Sequence, residues 1–127
     1  MSSGKLLIVE DDADVRLGYK ILLKANYYDT CFAEDAVSAI SVARKERPDM
    51  ILLDLGLPAG DGFVVLERLF TNSDLGQIPV IVVSARDHQA NEVRALHAGA
   101  RAYVQKPWDD DALLDLIHQV LGRGNDF

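Results

Sequence analysis

The stretch that decides the fold is Asp49-Met50-Ile51-Leu52-Leu53-Asp54-Leu55-Gly56-Leu57-Pro58-Ala59-Gly60-Asp61-Gly62. Its apolar run from Met50 to Leu53 lies between a proline and a loop rich in glycine, which is typical of a strand buried on both faces of a parallel sheet. Asp54 follows the run directly, and ligands of open α/β sheets bind at the carboxyl ends of the strands. Asp54 is therefore a candidate site residue, although an aspartate at a strand end can also simply cap a turn.

Strand and helix patterns alternate five times along the chain. Apolar strands are predicted at 5–9, 27–33, 50–53, 80–83 and 101–105, the fourth ending at Ser84. Helical spacing follows each strand, in Val15/Tyr19/Leu22/Leu23, Ala36/Ile40/Ala43, Phe63/Leu66/Leu69/Phe70, Val93/Leu96 and Leu113/Ile117/Val120/Leu121. Asp35 and either Asp109 or Asp110 are predicted helix N-caps, and Gly99 is a predicted helix end. This alternation predicts an α/β fold, a doubly wound five-stranded parallel sheet with five helices.

The composition fits one ordinary globular domain. The chain has 127 residues, of which 49% are apolar and 26% charged. We expect a single domain over 1–127, with a core at about 4–121 and a tail or linker at 122–127. The net charge of −7 argues against direct nucleic-acid binding. The lack of a membrane-span pattern or signal peptide predicts a cytoplasmic protein, and the lone Cys31 fits a reducing compartment, where it is predicted to be a small buried hydrophobe.

Polar groups stand at the ends of four predicted strands. Glu10 and Asp11 end the first, Asp54 the third, Ser84 the fourth and Lys106 the fifth. Parallel strands place these ends at one edge of the sheet, so the carboxylates would repel one another unless a cation joined them. Oxygen ligands beside a lysine suit Mg²⁺ and a phosphoryl group, which an ionised aspartate can accept.

In these residues the chain resembles the receiver domains of two-component response regulators, over nearly its whole length. The resemblance implies the flavodoxin-like strand order 2-1-3-4-5 and a phosphorylation switch that is not a turnover enzyme. It implies that Asp54 is the phosphoacceptor and that Asp11 binds Mg²⁺ directly. Glu10 would act on the metal through water, and the backbone carbonyl of Gly56 would be a further ligand.

The same resemblance assigns roles on the switch side of the site. Ser84 corresponds to the family's hydroxyl residue, followed by the small Ala85, and Tyr103 to its switch aromatic, which turns inward on activation. Lys106-Pro107 corresponds to the family's Lys-Pro pair, whose peptide bond is usually cis. Each motif is weak alone, but all of them in order are specific. Gly56 and Arg86 stand where the family tunes the phosphoryl lifetime, so that lifetime is left open.

Four further residues are assigned minor roles. Asp12 is interpreted as a loop residue or helix cap, with a part in metal binding as the less favoured alternative. His88, His97 and His118 are interpreted as solvated helix-surface residues without acidic partners, and not as phosphodonors.

Three other functions compete with the receiver interpretation. A flavin-binding electron carrier has the same architecture, but the acidic loop after the first strand would repel the flavin phosphate. A Mg²⁺-dependent phosphohydrolase usually has a second aspartate two residues after the first, where this chain has Gly56. A docking module that is never phosphorylated would not need the complete set of site residues.

The receiver interpretation implies particular partners. These are a sensor histidine kinase or a histidine phosphotransfer protein within a phosphorelay, and a downstream output domain or protein. The output would be controlled through the face formed by the fourth helix, fifth strand and fifth helix. No membrane contact is expected, and a phosphorylation-dependent homodimer is compatible with this interpretation. The chain is interpreted either as a stand-alone receiver or as part of a larger protein.

Overall fold

A computed structural model describes residues 2–58 and 61–122 and shows five parallel strands alternating with five helices. The strands are β1 (Gly4–Val9), β2 (Tyr28–Ala33), β3 (Met50–Leu53), β4 (Val80–Ser84) and β5 (Ala102–Gln105). The helices are α1 (Ala13–Ala25), α2 (Ala36–Glu46), α3 (Gly62–Thr71), α4 (His88–His97) and α5 (Asp110–Val120). The strand order is β2-β1-β3-β4-β5, which confirms the predicted doubly wound α/β fold. Within the described ranges, no helix is both long and apolar enough to cross a membrane.

The apolar core is divided in two by the sheet. Because side chains alternate along a strand, Leu7 and Ile51 belong to one core, whereas Leu6 and Leu52 belong to the other. The first core is completed by residues of α2, α3 and α4, and the second by residues of α1 and α5. All four residues of β3 are buried, as its unbroken apolar run predicts. The sheet therefore lies between two helical layers, and its carboxyl edge is left to polar residues.

An aspartate is the N-cap of every one of the five described helices. The five caps are Asp12, Asp35, Asp61, Asp87 and Asp109. Each side chain accepts a hydrogen bond from a backbone N–H of the first helical turn, which otherwise has no partner within the helix. The cap at Asp35 is confirmed, and Asp109, not Asp110, caps α5.

The apolar faces of α3 and α4 differ from the predicted ones. In α3, Phe70 is 57% exposed, although the other three predicted members of its stripe are buried. In α4, Val93 and Leu96 are exposed, and the helix turns Ala95 to the core instead. The small Ala95 is thus the buried residue of α4, and the larger apolar side chains on that helix were a misleading guide to its buried face.

Two glycines occupy positions where the backbone requires them. Gly99 follows α4 with a φ of +113°, a region that favours glycine, and the predicted helix end there is confirmed. At Gly62, the first residue of α3, a Cβ atom would lie 2.5 Å from the Cα of Leu55. The start of α3 therefore packs directly on the backbone that follows Asp54.

Two smaller expectations concern residues at the margins. Cys31 is only partly buried, although it packs against the core, and burial raises the pKa of its thiol. The predicted tail at 122–127 lies, apart from Gly122, outside the described residues.

Candidate functional site

Backbone hydrogen bonds between neighbouring strands fix the polar residues at the carboxyl edge of the sheet. The N–H of Asp54 donates to the carbonyl of Val9 at 3.0 Å, which places the end of β3 beside the end of β1. The N–H of Lys106 donates to the carbonyl of Ser84 at 2.8 Å, which places the end of β5 beside the end of β4. The residues predicted to converge are therefore positioned by the sheet itself.

Three carboxylates meet at this edge. One oxygen from each of Glu10, Asp11 and Asp54 lies within 4.8 Å of the other two. Glu10 is only 2% exposed and Asp54 is largely buried, whereas Asp11 is exposed to solvent. Three oxygen donors at this separation, open to water on one side, fit a hard divalent cation such as Mg²⁺, which keeps several waters when it binds. These residues can therefore hold a metal ion.

Lys106 contacts two of the three carboxylates. Its Nζ donates to Oε1 of Glu10 and lies 3.4 Å from Oδ2 of Asp54. The other oxygen of Asp54 accepts the backbone N–H of Gly56 at 3.1 Å, so the carboxylate is held from both sides. The peptide bond between Lys106 and Pro107 is cis, as the resemblance implied.

The negative charge of this cluster exceeds what one lysine can offset. Burial raises the pKa of the Glu10 carboxyl, and the charge of Asp54 adds to the rise, whereas Lys106 opposes it. Burial lowers the pKa of Lys106, but its hydrogen bond and charge interactions with Glu10 and Asp54 outweigh this, so the net shift is upward. Burial, followed by the charges of Glu10 and Asp54, also raises the pKa of Tyr19. The site therefore favours an added cation.

The side chain of Asp12 caps α1. Its side chain accepts the N–H groups of Asp14 and Val15 at 2.8 and 3.2 Å, and its own N–H donates to Glu10 at 3.3 Å. The interpretation of Asp12 as a helix cap is thereby confirmed. The predicted role of the Gly56 carbonyl as a metal ligand stays a prediction.

Ser84 and Tyr103 are joined through the loop between β4 and α4. Ser84 is 1% exposed, and its Oγ accepts the backbone N–H of Arg86 at 3.1 Å. Tyr103 is 8% exposed, and its hydroxyl donates to the carbonyl of the same Arg86 at 2.8 Å. Burial raises the pKa of the Tyr103 hydroxyl. The tyrosine therefore occupies an inward position in this structure.

Sequence reasoning missed the ion pair of Arg86 with Asp61, whose Nη1 and Oδ1 atoms lie 3.7 Å apart. The two residues are distant in sequence, and no local pattern pairs them.

The interpretation of His88 as a residue without an acidic partner was wrong. His88 lies 2.9 Å from Glu92, four residues on, and its ring stacks on Tyr103. The spacing of four residues along a helix could have revealed this partner.

The remaining histidines lie away from the acidic cluster. His97 is exposed, as predicted, whereas His118 is partly buried and its ring stacks on Tyr28. Trp108 is the single tryptophan of the chain, and its ring stacks on Tyr19 with the two centroids 4.4 Å apart.

A doubly wound sheet with an acidic cluster and a lysine at its carboxyl edge defines a class of α/β proteins that bind charged ligands there. Residues 6–118 match the family described as "Response regulator receiver domain". The chain belongs to this family, and it is a receiver domain of two-component signalling.

Relatives of very different lengths share this domain. "Protein PilH" of Pseudomonas aeruginosa is 32% identical over 93% of this chain and 98% of its own length. "Response regulator PleD" of Caulobacter vibrioides is 37% identical over 93% of this chain but 26% of its own length. This chain therefore spans about a quarter of PleD and nearly all of PilH. The BeF3-activated receiver domain of Klebsiella pneumoniae RstA superposes with a TM-score of 0.86, at 28% identity over 92% of this chain and 97% of that one.

Proposed function

We propose that the chain is a phosphorylation-controlled switch in which Asp54 accepts a phosphoryl group from a phosphohistidine. The observation that carries the proposal is the environment of the Asp54 carboxylate. This carboxylate belongs to an acidic cluster that can hold a metal, and its Oδ2 lies 3.4 Å from the ammonium of Lys106. This arrangement combines a nucleophile with groups that offset the charge of the phosphoryl oxygens.

In the proposed transfer an oxygen of Asp54 attacks phosphorus. The bond between phosphorus and the histidine nitrogen breaks, and its electron pair stays on that nitrogen. The ring, protonated on its other nitrogen, leaves as a neutral imidazole, and Asp54 becomes an aspartyl phosphate. The hydrogen bond from Gly56 to Oδ1 orients the carboxylate, and Lys106 is close enough to pair with an incoming phosphoryl oxygen. The chain thus performs its own phosphorylation and is not a turnover enzyme.

Asp11, Asp54 and the carbonyl of Gly56 are the proposed direct ligands of Mg²⁺, with Glu10 acting through water. When bound, the ion would offset the charge of the phosphoryl oxygens. Glu10 is nearly enclosed and already paired with Lys106, which suits an indirect role, whereas the exposed Asp11 is open to a hydrated ion. Activation of the similar RstA receiver domain by BeF3, a phosphoryl substitute, supports a phosphoryl-controlled switch in this fold.

The proposed signal leaves the site through Ser84 and Tyr103. Ser84 would donate its hydroxyl proton to a phosphoryl oxygen, while its Oγ accepts the backbone N–H of Arg86. Tyr103 bonds to the loop that Ser84 begins, so movement of that loop changes the space available to the ring. The face of α4, β5 and α5 then differs between the two states and would control the output.

The proposed partners follow from this switch. They are a sensor histidine kinase or histidine phosphotransfer protein as donor, and an output domain or protein as receiver of the signal. We infer a single domain acting in the cytoplasm as part of a phosphorelay, without direct contact to nucleic acid or membrane. A phosphorylation-dependent homodimer through the α4, β5 and α5 face belongs to the same proposal.

Labelling with a small phosphodonor tests the assignment. Acetyl phosphate with Mg²⁺ should add one phosphoryl group, and intact-mass spectrometry should find none on Asp54→Asn. Asp109→Asn is the matched control, since it makes the same change at a helix cap outside the acidic cluster and should label like the wild type. Unchanged labelling of Asp54→Asn would refute the proposal.

A further inference from the structure

Arg86 bonds to three residues through three different groups. Its N–H donates to Ser84, its carbonyl accepts from Tyr103, and its guanidinium lies 3.7 Å from the carboxylate of Asp61. Asp61 also caps α3 through the N–H of Phe63 at 2.9 Å. The ion pair therefore joins the loop after β4 to the start of α3, which packs on the backbone beside Asp54.

The ion pair is of the partly exposed kind that contributes little to overall stability. Both side chains are about two-fifths exposed, and such pairs are screened by salt. Its position gives it another use. The pair restrains Arg86, whose backbone N–H bonds to Ser84 and whose carbonyl bonds to Tyr103. A small bias is enough to shift an equilibrium between two loop arrangements.

We propose that Asp61 is a positioning residue: by pairing with Arg86 it holds the loop after β4 in the arrangement that keeps Tyr103 inward. This proposal rests on the proposed function, in which the inward tyrosine belongs to the phosphorylated state. The pair would therefore bias the unmodified protein toward the conformation that binds the phosphoryl group.

Substitution of Asp61 by asparagine separates its two roles. Asparagine caps a helix about as well as aspartate, so Asp61→Asn keeps the cap of α3 and loses the charge. Asp35→Asn is the matched control, because it makes the same change at the cap of α2, where the aspartate side chain accepts hydrogen bonds from Ser38. Arg86→Gln and the double variant complete a mutant cycle.

Two measurements test the proposal. In the unmodified protein, amide hydrogen exchange of Arg86 should become faster in Asp61→Asn, relative to the other amides, and stay unchanged in Asp35→Asn. With Mg²⁺ present, beryllofluoride should bind roughly two- to fivefold more weakly to Asp61→Asn and to Arg86→Gln at low salt, since exposed pairs are worth that much. The double variant should bind beryllofluoride no more weakly than either single variant. High salt should lower the affinity of the wild type toward that of Asp61→Asn.

The results separate this proposal from the proposed function. The positioning role would be overturned if the Arg86 amide exchanged at the wild-type rate in Asp61→Asn. It would also be overturned if the losses of beryllofluoride affinity in the two single variants added up in the double variant. Failure of the wild type to bind beryllofluoride would refute the proposed function, and the exchange measurement would still decide whether Asp61 holds the loop.

Discussion

Replacing Gly62 by alanine should disturb both the fold and the site. The added Cβ would lie 2.5 Å from the Cα of Leu55, 2.7 Å from the carbonyl oxygen of Asp54 and 2.9 Å from that of Leu55. All three are backbone atoms, so no flexible side chain can move aside. Ordinary contacts of this kind are 3.4 Å or longer, and α3 and the loop must therefore separate by about 1 Å.

The expected loss of stability follows from two opposing effects. Overpacking of this kind costs about 1–3 kcal/mol, and removing a glycine from the unfolded chain returns about 0.4–1 kcal/mol. The net loss should be about 1–2 kcal/mol, which for a domain of this size lowers the melting temperature by roughly 4–8 °C. The displaced Asp54 backbone should also reduce the extra stability that Mg²⁺ confers.

Thermal melts in EDTA and in Mg²⁺ measure both effects. Gly18→Ala is the matched control, because Gly18 lies within α1 and a Cβ there meets nothing within 4 Å. Alanine at that position should raise stability by about 0.5–1 kcal/mol. The reasoning would be refuted if Gly62→Ala melted at or above the wild-type temperature, or if its response to Mg²⁺ were undiminished.

Three other substitutions test the charges and the switch. Lys106→Met should lower the free energy of unfolding by about 3–5 kcal/mol, because it leaves the buried Glu10 unpaired. Adding Glu10→Gln should recover part of this loss in urea denaturation, and no recovery would contradict the ion-pair argument. Asp11→Asn should melt higher than the wild type in EDTA and gain less from Mg²⁺, since one repelling charge is gone; a lower melting temperature in EDTA would show that crowding is unimportant. Ser84→Ala should weaken the fluorescence change of Trp108 on beryllofluoride binding and leave Mg²⁺ binding nearly intact, so a change of full size would disprove the coupling.

The strands could be predicted because their apolar runs are local signals in the sequence. Their order could be predicted because it is common to the family. The apolar run of β3 needs burial on both faces wherever it lies, and the polar residues that end the strands must meet at one edge. Family resemblance supplied the strand order, which hydrophobic periodicity does not determine. The acidic cluster and its contact with Lys106 were predictable for the same two reasons.

The features that were missed depend on tertiary packing. The buried face of α4 is set by how that helix packs against the rest of the fold, so Ala95 is buried and Val93, at 62% exposure, is not. Arg94 extends over the ring of Phe63, with its guanidinium carbon 3.7 Å from the ring centre, and no periodicity indicates such a contact. The pairing of Arg86 with Asp61 likewise exists only once two separate loops have been brought together.

The contact between Glu10 and Lys106 has a consequence for protein synthesis. The two residues are 96 positions apart, so a ribosome makes the acidic residues that follow β1 and β3 well before it makes the lysine that follows β5. Until β5 has been added, the growing chain carries these carboxylates without their internal cation, and docking of the earlier strands brings like charges together. Completion of the sheet and partial compensation of its acidic edge are thus a single late event. A nascent chain that stalls before Lys106 should therefore be cleaved by protease more readily than a chain that includes Lys106.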